Sequence, residues 1–300
     1  MAFAGVASEV YGLYGDGRFR EALGVVAEAR KTYVSEDATL TFWEACLLSA
    51  GGDADRALAV LETGVRRGLW WSGAMLADRD LDSVRTRRGW RGLLSECDRR
   101  SQQATDNRPV VSVRPSRAGA AAGVLITLHG AGADPAEHAR TWEAAAPGDW
   151  IVITPVGTVP WTVDRWSWPG DASSSRAVLD QLPGFDWSHP VVFGGFSQGA
   201  GVAASIARNP PGPLSGLVLV APALPSDVSD SVSTLQCPTY FLVGDEDRGL
   251  SAVLDIADAM AAEGIPAVLD QRAGLGHAMP NDFSTTLPDA LEWIISTQDR

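Results

Sequence analysis

The chain has 300 residues, of which 45% are hydrophobic and 20% charged, so disordered, collagen-like and disulfide-stapled classes are excluded. This length exceeds one ordinary domain and suits two. The formal net charge of -13 disfavours nucleic acid and anionic membrane surfaces as partners, because both attract basic faces.

The negative charge is concentrated in one part of the chain. Residues 1–105 carry 14 Lys and Arg against 15 Asp and Glu, a net of -1. Residues 106–300 carry 10 against 22, a net of -12. This asymmetry predicts two unlike domains.

The three cysteines, Cys46, Cys97 and Cys237, are widely spaced and form no CxxC pair, which suits a reducing compartment. The first residues lack the basic start and apolar core of a signal peptide. No run reaches 18 apolar residues, so no membrane span is predicted. We therefore expect a soluble, cytoplasmic protein.

The first 105 residues are predicted to form helices joined by glycine-rich turns. The segments GRFREALGVV and GDADRALAVL superpose at a shift of 35 residues, which pairs Ala22 with Ala57 and Leu23 with Leu58. This period, with small residues where helices would cross, resembles tetratricopeptide repeats. A generic bundle of helical hairpins is the alternative. Two or three such units seldom form a stable core alone, so we expect this domain to pack on the second domain, bind a protein partner or self-associate.

Residues 106–122 are polar and contain proline and alanine, which predicts a linker with a short edge strand near 110–113. From residue 123 onward, apolar runs of strand length alternate with amphipathic stretches. The predicted strands are GVLITLH, WIVITP, PVVFGGF, GLVLVAP, PTYFLVG and IPAVLDQ. The predicted helices lie at about 134–146, 172–182, 198–208, 250–263 and 283–297. This alternation predicts an α/β fold with a parallel sheet whose functional residues lie at the carboxyl ends of the strands.

The strongest chemical signal is Gly195-Phe196-Ser197-Gln198-Gly199, between a predicted strand and a predicted helix. This is the G-x-S-x-G pattern of a nucleophile elbow, in which a serine occupies a strained turn and small flanking residues leave room for neighbouring chain. The helix amino terminus favours negative charge that develops beside it. Ser197 is therefore the candidate nucleophile.

Ser197 needs a base, and the chain has four histidines. His189 precedes its strand, His138 lies within a predicted helix, and His129 ends a strand in a glycine-rich loop. His277 follows the last strand on a loop at the carboxyl edge, so elimination favours His277 as the base.

The third residue of a hydrolase triad should be an acid after the strand PTYFLVG, because the expected order is serine, acid, histidine. Asp245, Glu246 and Asp247 are all candidates there, and the residues alone do not separate them.

From about Gly123 to its end, the chain resembles the phospholipase/carboxylesterase group of α/β-hydrolases, which includes acyl-protein thioesterases and small bacterial esterases. The matching segments are LHGAGAD, GFSQGA, GDEDRGL and GLGHAMP. The resemblance implies a catalytic α/β-hydrolase domain over residues 123–300, Asp247 as the acid, and an oxyanion hole formed by the backbone N–H groups of Ala131 and Gln198. The family usually follows this aspartate with a Val-Pro segment, and here Arg248-Gly249-Leu250 replaces it.

Three tryptophans, Trp161, Trp166 and Trp168, lie in one loop at the catalytic edge. The family commonly has a tryptophan-containing segment there, which implies that they line a substrate pocket with rigid apolar walls. The alternative is that they cover the sheet or contact the helical domain. Arg165, in the same loop, has two candidate partners, a substrate carboxylate and Asp164.

These observations predict a serine hydrolase that cleaves an ester or thioester of a small, largely uncharged acyl group and needs no cofactor or metal. One alternative is a peptidase or amidase that uses the same residues. The other is a repeat scaffold in which the hydrolase fold is only structural.

Overall fold

The computed structural model describes residues 3–118, 120–224 and 235–298. The chain divides into two compact units. The helical unit comprises Met1–Asn107 and Pro160–Arg165, and the sheet unit comprises Arg108–Val159 and Trp166–Arg300. The predicted division lies near the first boundary, but the short second segment of the helical unit was not predicted.

Two helical hairpins begin the helical unit, and shorter helices follow. The helices are α1 (Phe3–Gly15), α2 (Phe19–Thr32), α3 (Asp37–Ala50), α4 (Ala54–Arg66), α5 (Gly73–Leu76), α6 (Asp82–Arg85) and α7 (Trp90–Asp106). Helix α4 begins 35 residues after α2, which is the predicted shift. Gly17 (φ 72°) and Gly52 (φ 89°) reverse the chain in the left-handed region that glycine favours.

The second segment of the helical unit pairs with the chain around Trp71, which is fully buried. The Ser72 N–H donates to the Trp161 carbonyl at 2.9 Å, and the Thr162 hydroxyl donates to the carbonyl of Trp70. Trp161 packs against the hydrophobic cluster that contains Trp70 and Trp71. Trp161 and Val163 therefore pack against the core of this unit, although they lie far from it in sequence.

The sheet unit has a seven-stranded sheet in the order β1-β3-β2-β6-β7-β8-β9. Its strands are β1 (Ser112–Arg114), β2 (Gly123–Leu128), β3 (Trp150–Thr154), β6 (Val191–Phe196), β7 (Gly216–Val220), β8 (Thr239–Gly244) and β9 (Ala267–Arg272). Only β1 is antiparallel to its neighbour, and the other pairings are parallel. Two short strands, β4 (Val159–Thr162) and β5 (Arg165–Ser167), form a separate ribbon that was not predicted.

Strands β2 and β7 are buried along their whole length and β6 as far as Gly195, as their continuous apolar sequences predicted. The helices of this unit are α8 (Pro135–Ala145), α9 (Ser173–Leu179), α10 (Gln198–Ala207), α11 (Leu250–Ala262) and α12 (Phe283–Gln298). The prediction of a mostly parallel sheet with flanking helices is confirmed.

Within the described ranges, no helix is both long and apolar enough to cross a membrane.

Candidate active site

Ser197 lies at the turn between β6 and α10, with φ 54° and ψ -120°. A positive φ is uncommon for a residue with a side chain and has a cost, so the surroundings must hold it. The Ser197 N–H donates to the Val220 carbonyl at 3.0 Å, and the Ser197 carbonyl accepts from Ala223 N–H at 3.0 Å. The neighbouring strand β7 and the loop after it therefore fix the backbone that carries the hydroxyl.

The glycines on either side of Ser197 are required by close backbone contacts. A Cβ on Gly199 would lie 2.1 Å from the carbonyl oxygen of Leu128. A Cβ on Gly195 would lie 2.6 Å from the backbone nitrogen of Ala200. The G-x-S-x-G spacing thus has a direct steric cause in this chain.

Three side chains from three loops at the carboxyl edge form a continuous hydrogen-bonded chain. Ser197 Oγ lies 2.8 Å from His277 Nε2, and His277 Nδ1 lies 2.8 Å from Asp247 Oδ2. A carboxylate only accepts, so Nδ1 carries the hydrogen, and Nε2 is left to accept the Ser197 hydroxyl proton. The His277 side chain is 46% exposed, whereas that of Asp247 is 3% exposed.

The three candidate acids lie in different surroundings. Asp247 is buried, and its second oxygen, Oδ1, accepts from Gly249 N–H at 2.8 Å. Asp245 is exposed and accepts from Gly274 N–H at 2.7 Å, so it contacts the loop that carries His277 rather than the imidazole. Glu246 is also exposed. Asp247 is the acid that meets His277.

The two amides predicted to form an oxyanion hole belong to two segments near Ser197. Gln198 is the first residue of α10, and Ala131 is in the turn after β2. The loop approaches closely, since a Cβ on Gly130 would lie 3.4 Å from Ser197 Cβ. Among the described residues, neither amide donates to a protein acceptor, so both can donate to a ligand.

His129 is fully buried and holds this loop through both ring nitrogens. Its Nε2 accepts from Gly157 N–H at 2.9 Å, so Nδ1 carries the hydrogen and donates to the Gly130 carbonyl at 2.8 Å. Burial lowers the pKa of His129 to about 4, which keeps the ring neutral near pH 7. His129 therefore acts as a fixed support for the loop.

The structure does not support the predicted pocket wall of tryptophans. Trp161 is half-buried and packs against the core of the helical unit, while Trp166 and Trp168 are 3% and 2% exposed. Apolar indoles gain more from burial than from lining a wet surface, so all three have structural positions, the alternative left open by the sequence. Arg165 pairs with Glu36, which is neither of its two predicted partners.

A cavity of about 830 Å³ lies beside Gln198 in the sheet unit. Small apolar residues and hydroxyl side chains line it, together with one aspartate (Asp171), one arginine and one asparagine. Its lining includes Ser174, Ser175, Val202, Ser205, Arg208, Asn209 and Leu224. This volume is within the range of small-molecule sites.

Sequence reasoning missed the contacts that hold the loop after β2 and the start of α10. The Gln198 side chain and the Trp168 backbone exchange two hydrogen bonds, and the Ser167 hydroxyl accepts from Gly132 N–H at 2.8 Å. These partners are about 30 residues apart in the chain, and no local pattern marks such pairs.

In the residues that the structure describes, no group of three or more His, Cys, Asp or Glu side chains could hold a metal ion.

A mostly parallel sheet with flanking helices, and a serine on a strained turn after a central strand, define the α/β-hydrolase fold. A family model described as "A/B hydrolase-like, N-terminal domain" matches residues 6–105, which is the helical region. That match supports an α/β-hydrolase and does not confirm the tetratricopeptide prediction. Among proteins with curated descriptions, none matches the chain.

Solved structures are similar to the chain at low sequence identity. An uncharacterized protein from Bacillus cereus is 21% identical, with 98% of this chain and 99% of that chain covered and a TM-score of 0.53. Acyl-protein thioesterase 2 of Zea mays is 19% identical over 61% of this chain and 98% of its own, with a TM-score of 0.49. The esterase PE8 is 20% identical, with 62% of this chain and 98% of that chain covered and a TM-score of 0.47. The first of these likenesses shows a shared fold across nearly the whole of both chains.

Proposed function

We propose that the chain is a serine hydrolase that cleaves carboxylic esters or thioesters through an acyl-enzyme. The observation that carries the proposal is the unbroken chain from Ser197 Oγ to His277 Nε2 and from His277 Nδ1 to Asp247 Oδ2, with both distances at 2.8 Å. A nucleophile, a base and an acid that orients the base are the parts that acyl transfer requires.

In the first step, Ser197 Oγ attacks the carbonyl carbon while its proton moves to His277 Nε2. Asp247 stabilises the imidazolium that forms, and its low exposure strengthens that interaction. Gly249 N–H neutralises part of the carboxylate charge at the other oxygen. When the leaving alcohol or thiol departs, it takes the proton from Nε2 and an acyl-serine remains.

In the second step, water attacks the acyl-serine. His277 Nε2 accepts the proton of the water and returns it to Ser197 Oγ as the bond between Oγ and the acyl carbon breaks. The carboxylic acid leaves, and the enzyme is restored. The half-exposed imidazole supports this step, because water reaches it from one side. In both steps the carbonyl oxygen carries negative charge, which the N–H groups of Ala131 and Gln198 stabilise. One such donor contributes about 3 kcal/mol of transition-state stabilisation.

The cavity beside Gln198 supports a site for one of the two substrate groups. Its hydroxyl-rich wall suits a compact group with polar atoms better than a long hydrocarbon chain. The expectation of a largely uncharged acyl group loses the support of the tryptophan wall, since those indoles are buried or packed in a core. A panel of ester, thioester and amide substrates separates the esterase from the amidase alternative.

The tetratricopeptide-like arrangement stays a proposal for the helical unit. It is supported by the two hairpins whose second helices begin 35 residues apart. A partner-docking or self-association role follows from that proposal. It is tested with the full chain, by light scattering and by capture of partners.

Replacing Ser197 by alanine tests the proposed activity. Ser197→Ala should abolish hydrolysis of p-nitrophenyl esters, because Ser197 is the nucleophilic side chain that is hydrogen-bonded to His277 Nε2. Among the described residues, no other nucleophilic group is bonded to that atom. Ser188→Ala is the matched control and should keep wild-type turnover, since Ser188 is exposed and bonds to Asp186. Turnover retained by the Ser197 variant would refute the proposal.

A further inference from the structure

We propose that Trp168 is a positioning residue that joins the two halves of the oxyanion hole. This inference rests on the proposed function, because it concerns the amides of Ala131 and Gln198. Those amides belong to separate segments, the loop after β2 and the start of α10. The two amides can act on one oxygen only if these segments keep a fixed position relative to each other. Trp168 forms hydrogen bonds with both segments.

On one side, Trp168 pairs with the side chain of Gln198. The Trp168 N–H donates to Gln198 Oε1 at 3.0 Å, and Gln198 Nε2 donates to the Trp168 carbonyl at 2.9 Å. The two bonds resemble the exchange between paired strands and fix both distance and orientation. The residue whose backbone N–H faces the oxyanion thus holds Trp168 with its own side chain.

On the other side, the Trp168 indole reaches the loop after β2. Its Nε1–H donates to the His129 carbonyl at 2.8 Å, two residues before Ala131. The rings of His129 and Trp168 are also in contact, with centroids 5.0 Å apart. Because His129 itself donates to Gly130 and accepts from Gly157, the indole bond extends into a loop that is already rigid.

The two residues before Trp168 reinforce the same contact. Trp166 N–H donates to the Ala133 carbonyl at 2.9 Å, and the Ser167 hydroxyl accepts from Gly132 N–H at 2.8 Å. Three consecutive residues, 166–168, therefore hold both ends of the turn that contains Ala131. Among the three, only Trp168 also forms hydrogen bonds with Gln198 in the described part of the chain.

The hydrogen bonds of Trp168 and His129 are buried, so the loss of one of them should be costly. Trp168 is 2% exposed and His129 is fully buried, so water does not readily replace a lost partner. Oxyanion donors act through preorganisation, and a displacement of about 1 Å can lower a rate about 100-fold. Loss of the indole N–H should therefore affect the transition state more than substrate binding.

Trp168→Phe is the first test, since it keeps an aromatic ring and removes the N–H. We expect kcat to fall about tenfold or more while KM changes little, because the mutation shifts a donor that acts in the transition state. Affinity for a trifluoromethyl ketone inhibitor, whose adduct with Ser197 carries an oxyanion, should fall by a factor similar to that of kcat/KM.

Trp142→Phe is the matched control. Trp142 is 1% exposed in the same unit, and its indole N–H makes no hydrogen bond among the described residues. We expect Trp142→Phe to lower thermal stability and to leave kcat and inhibitor affinity unchanged.

A second variant keeps the inference testable if Trp168→Phe does not fold. Gln198→Met has a similar length, keeps the backbone N–H and loses both bonds to Trp168, so it should reproduce the fall in kcat. The double variant should lose much less than the product of the single effects, since both act through one connection.

Wild-type kcat and inhibitor affinity in Trp168→Phe or Gln198→Met would overturn the inference, as would a change confined to KM. The proposed function has a separate readout. It fails if wild-type protein does not hydrolyse esters, whereas the inference on Trp168 fails if the wild type is active and these variants match it.

Discussion

The sharpest steric prediction concerns Gly199, two residues after Ser197. Gly199→Ala would place a methyl carbon 2.1 Å from the Leu128 carbonyl oxygen, and Cβ contacts below 3.0 Å essentially never occur. The Leu128 oxygen is a backbone atom, and the methyl would be attached directly to the backbone of α10. The start of α10 must therefore move by about 1 Å relative to β2 to relieve the contact. Overpacking of this kind costs roughly 1–3 kcal/mol of unfolding free energy or more.

The same displacement moves Ser197 and the Gln198 amide, so we expect kcat for a p-nitrophenyl ester to fall about 100-fold. Gly24→Ala is the control: Gly24 lies exposed inside α2, with no atom within 4 Å of the added methyl. The free energy of unfolding of Gly24→Ala should rise by about 0.5–1 kcal/mol, and its kcat should not change. Chemical denaturation measures the stability of the two variants, and initial rates measure their kcat. Wild-type stability and turnover in Gly199→Ala would refute the steric explanation.

Three further predictions concern other parts of the molecule. His129 has a pKa of about 4 in the folded state and about 6.5 in the unfolded state, so the unfolded state binds the proton first as pH falls. Protonation of His129 should therefore lower the free energy of unfolding by about 2 kcal/mol between pH 7 and pH 5. A His129→Gln variant should lose less unfolding free energy over that range. Asp247→Asn should lower kcat about 10⁴-fold, and Asp245→Ala far less, in ester assays; the reverse order would contradict the geometry. Thr162→Val leaves the Trp70 carbonyl without its donor and should cost about 1–3 kcal/mol in thermal or chemical denaturation; an unchanged stability would contradict the contact.

The fold was largely predictable because the central strands carry an unusually direct signal. Strands β2, β6 and β7 are buried on both faces, so their sequences are continuous apolar runs bounded by turns. The order of strands and helices then predicts a parallel sheet with the nucleophile at its carboxyl edge. Strand β5, in contrast, was not predicted, because its three residues are too few to show a periodic pattern of apolar side chains.

The candidate site could be identified from the sequence where chemistry and local geometry coincide in a short segment. Gly195–Gly199 combine a nucleophile with the glycines that its turn requires, and a small number of histidines permitted elimination. Tertiary partners gave no such signal. Arg165 has an acidic neighbour in Asp164, yet it pairs with Glu36, 129 residues away.

The tryptophan loop illustrates the same limit. An indole serves equally well as a pocket wall or as core packing, and only the folded position distinguishes them. Trp168 is buried and hydrogen-bonded to His129, a contact between residues 39 apart in the chain. The composition of the loop suggested a surface for substrate, whereas the contacts of Trp168 favour support of the loop after β2.

The central claim is that Ser197 is a nucleophile activated by His277, and covalent labelling tests it most directly. Intact wild-type protein is treated with a fluorophosphonate, digested and analysed by mass spectrometry. We expect one adduct per chain, located on the peptide that contains Ser197, and labelling should be lost in His277→Ala. An adduct at another residue, or no adduct on the wild-type chain, would contradict the claim.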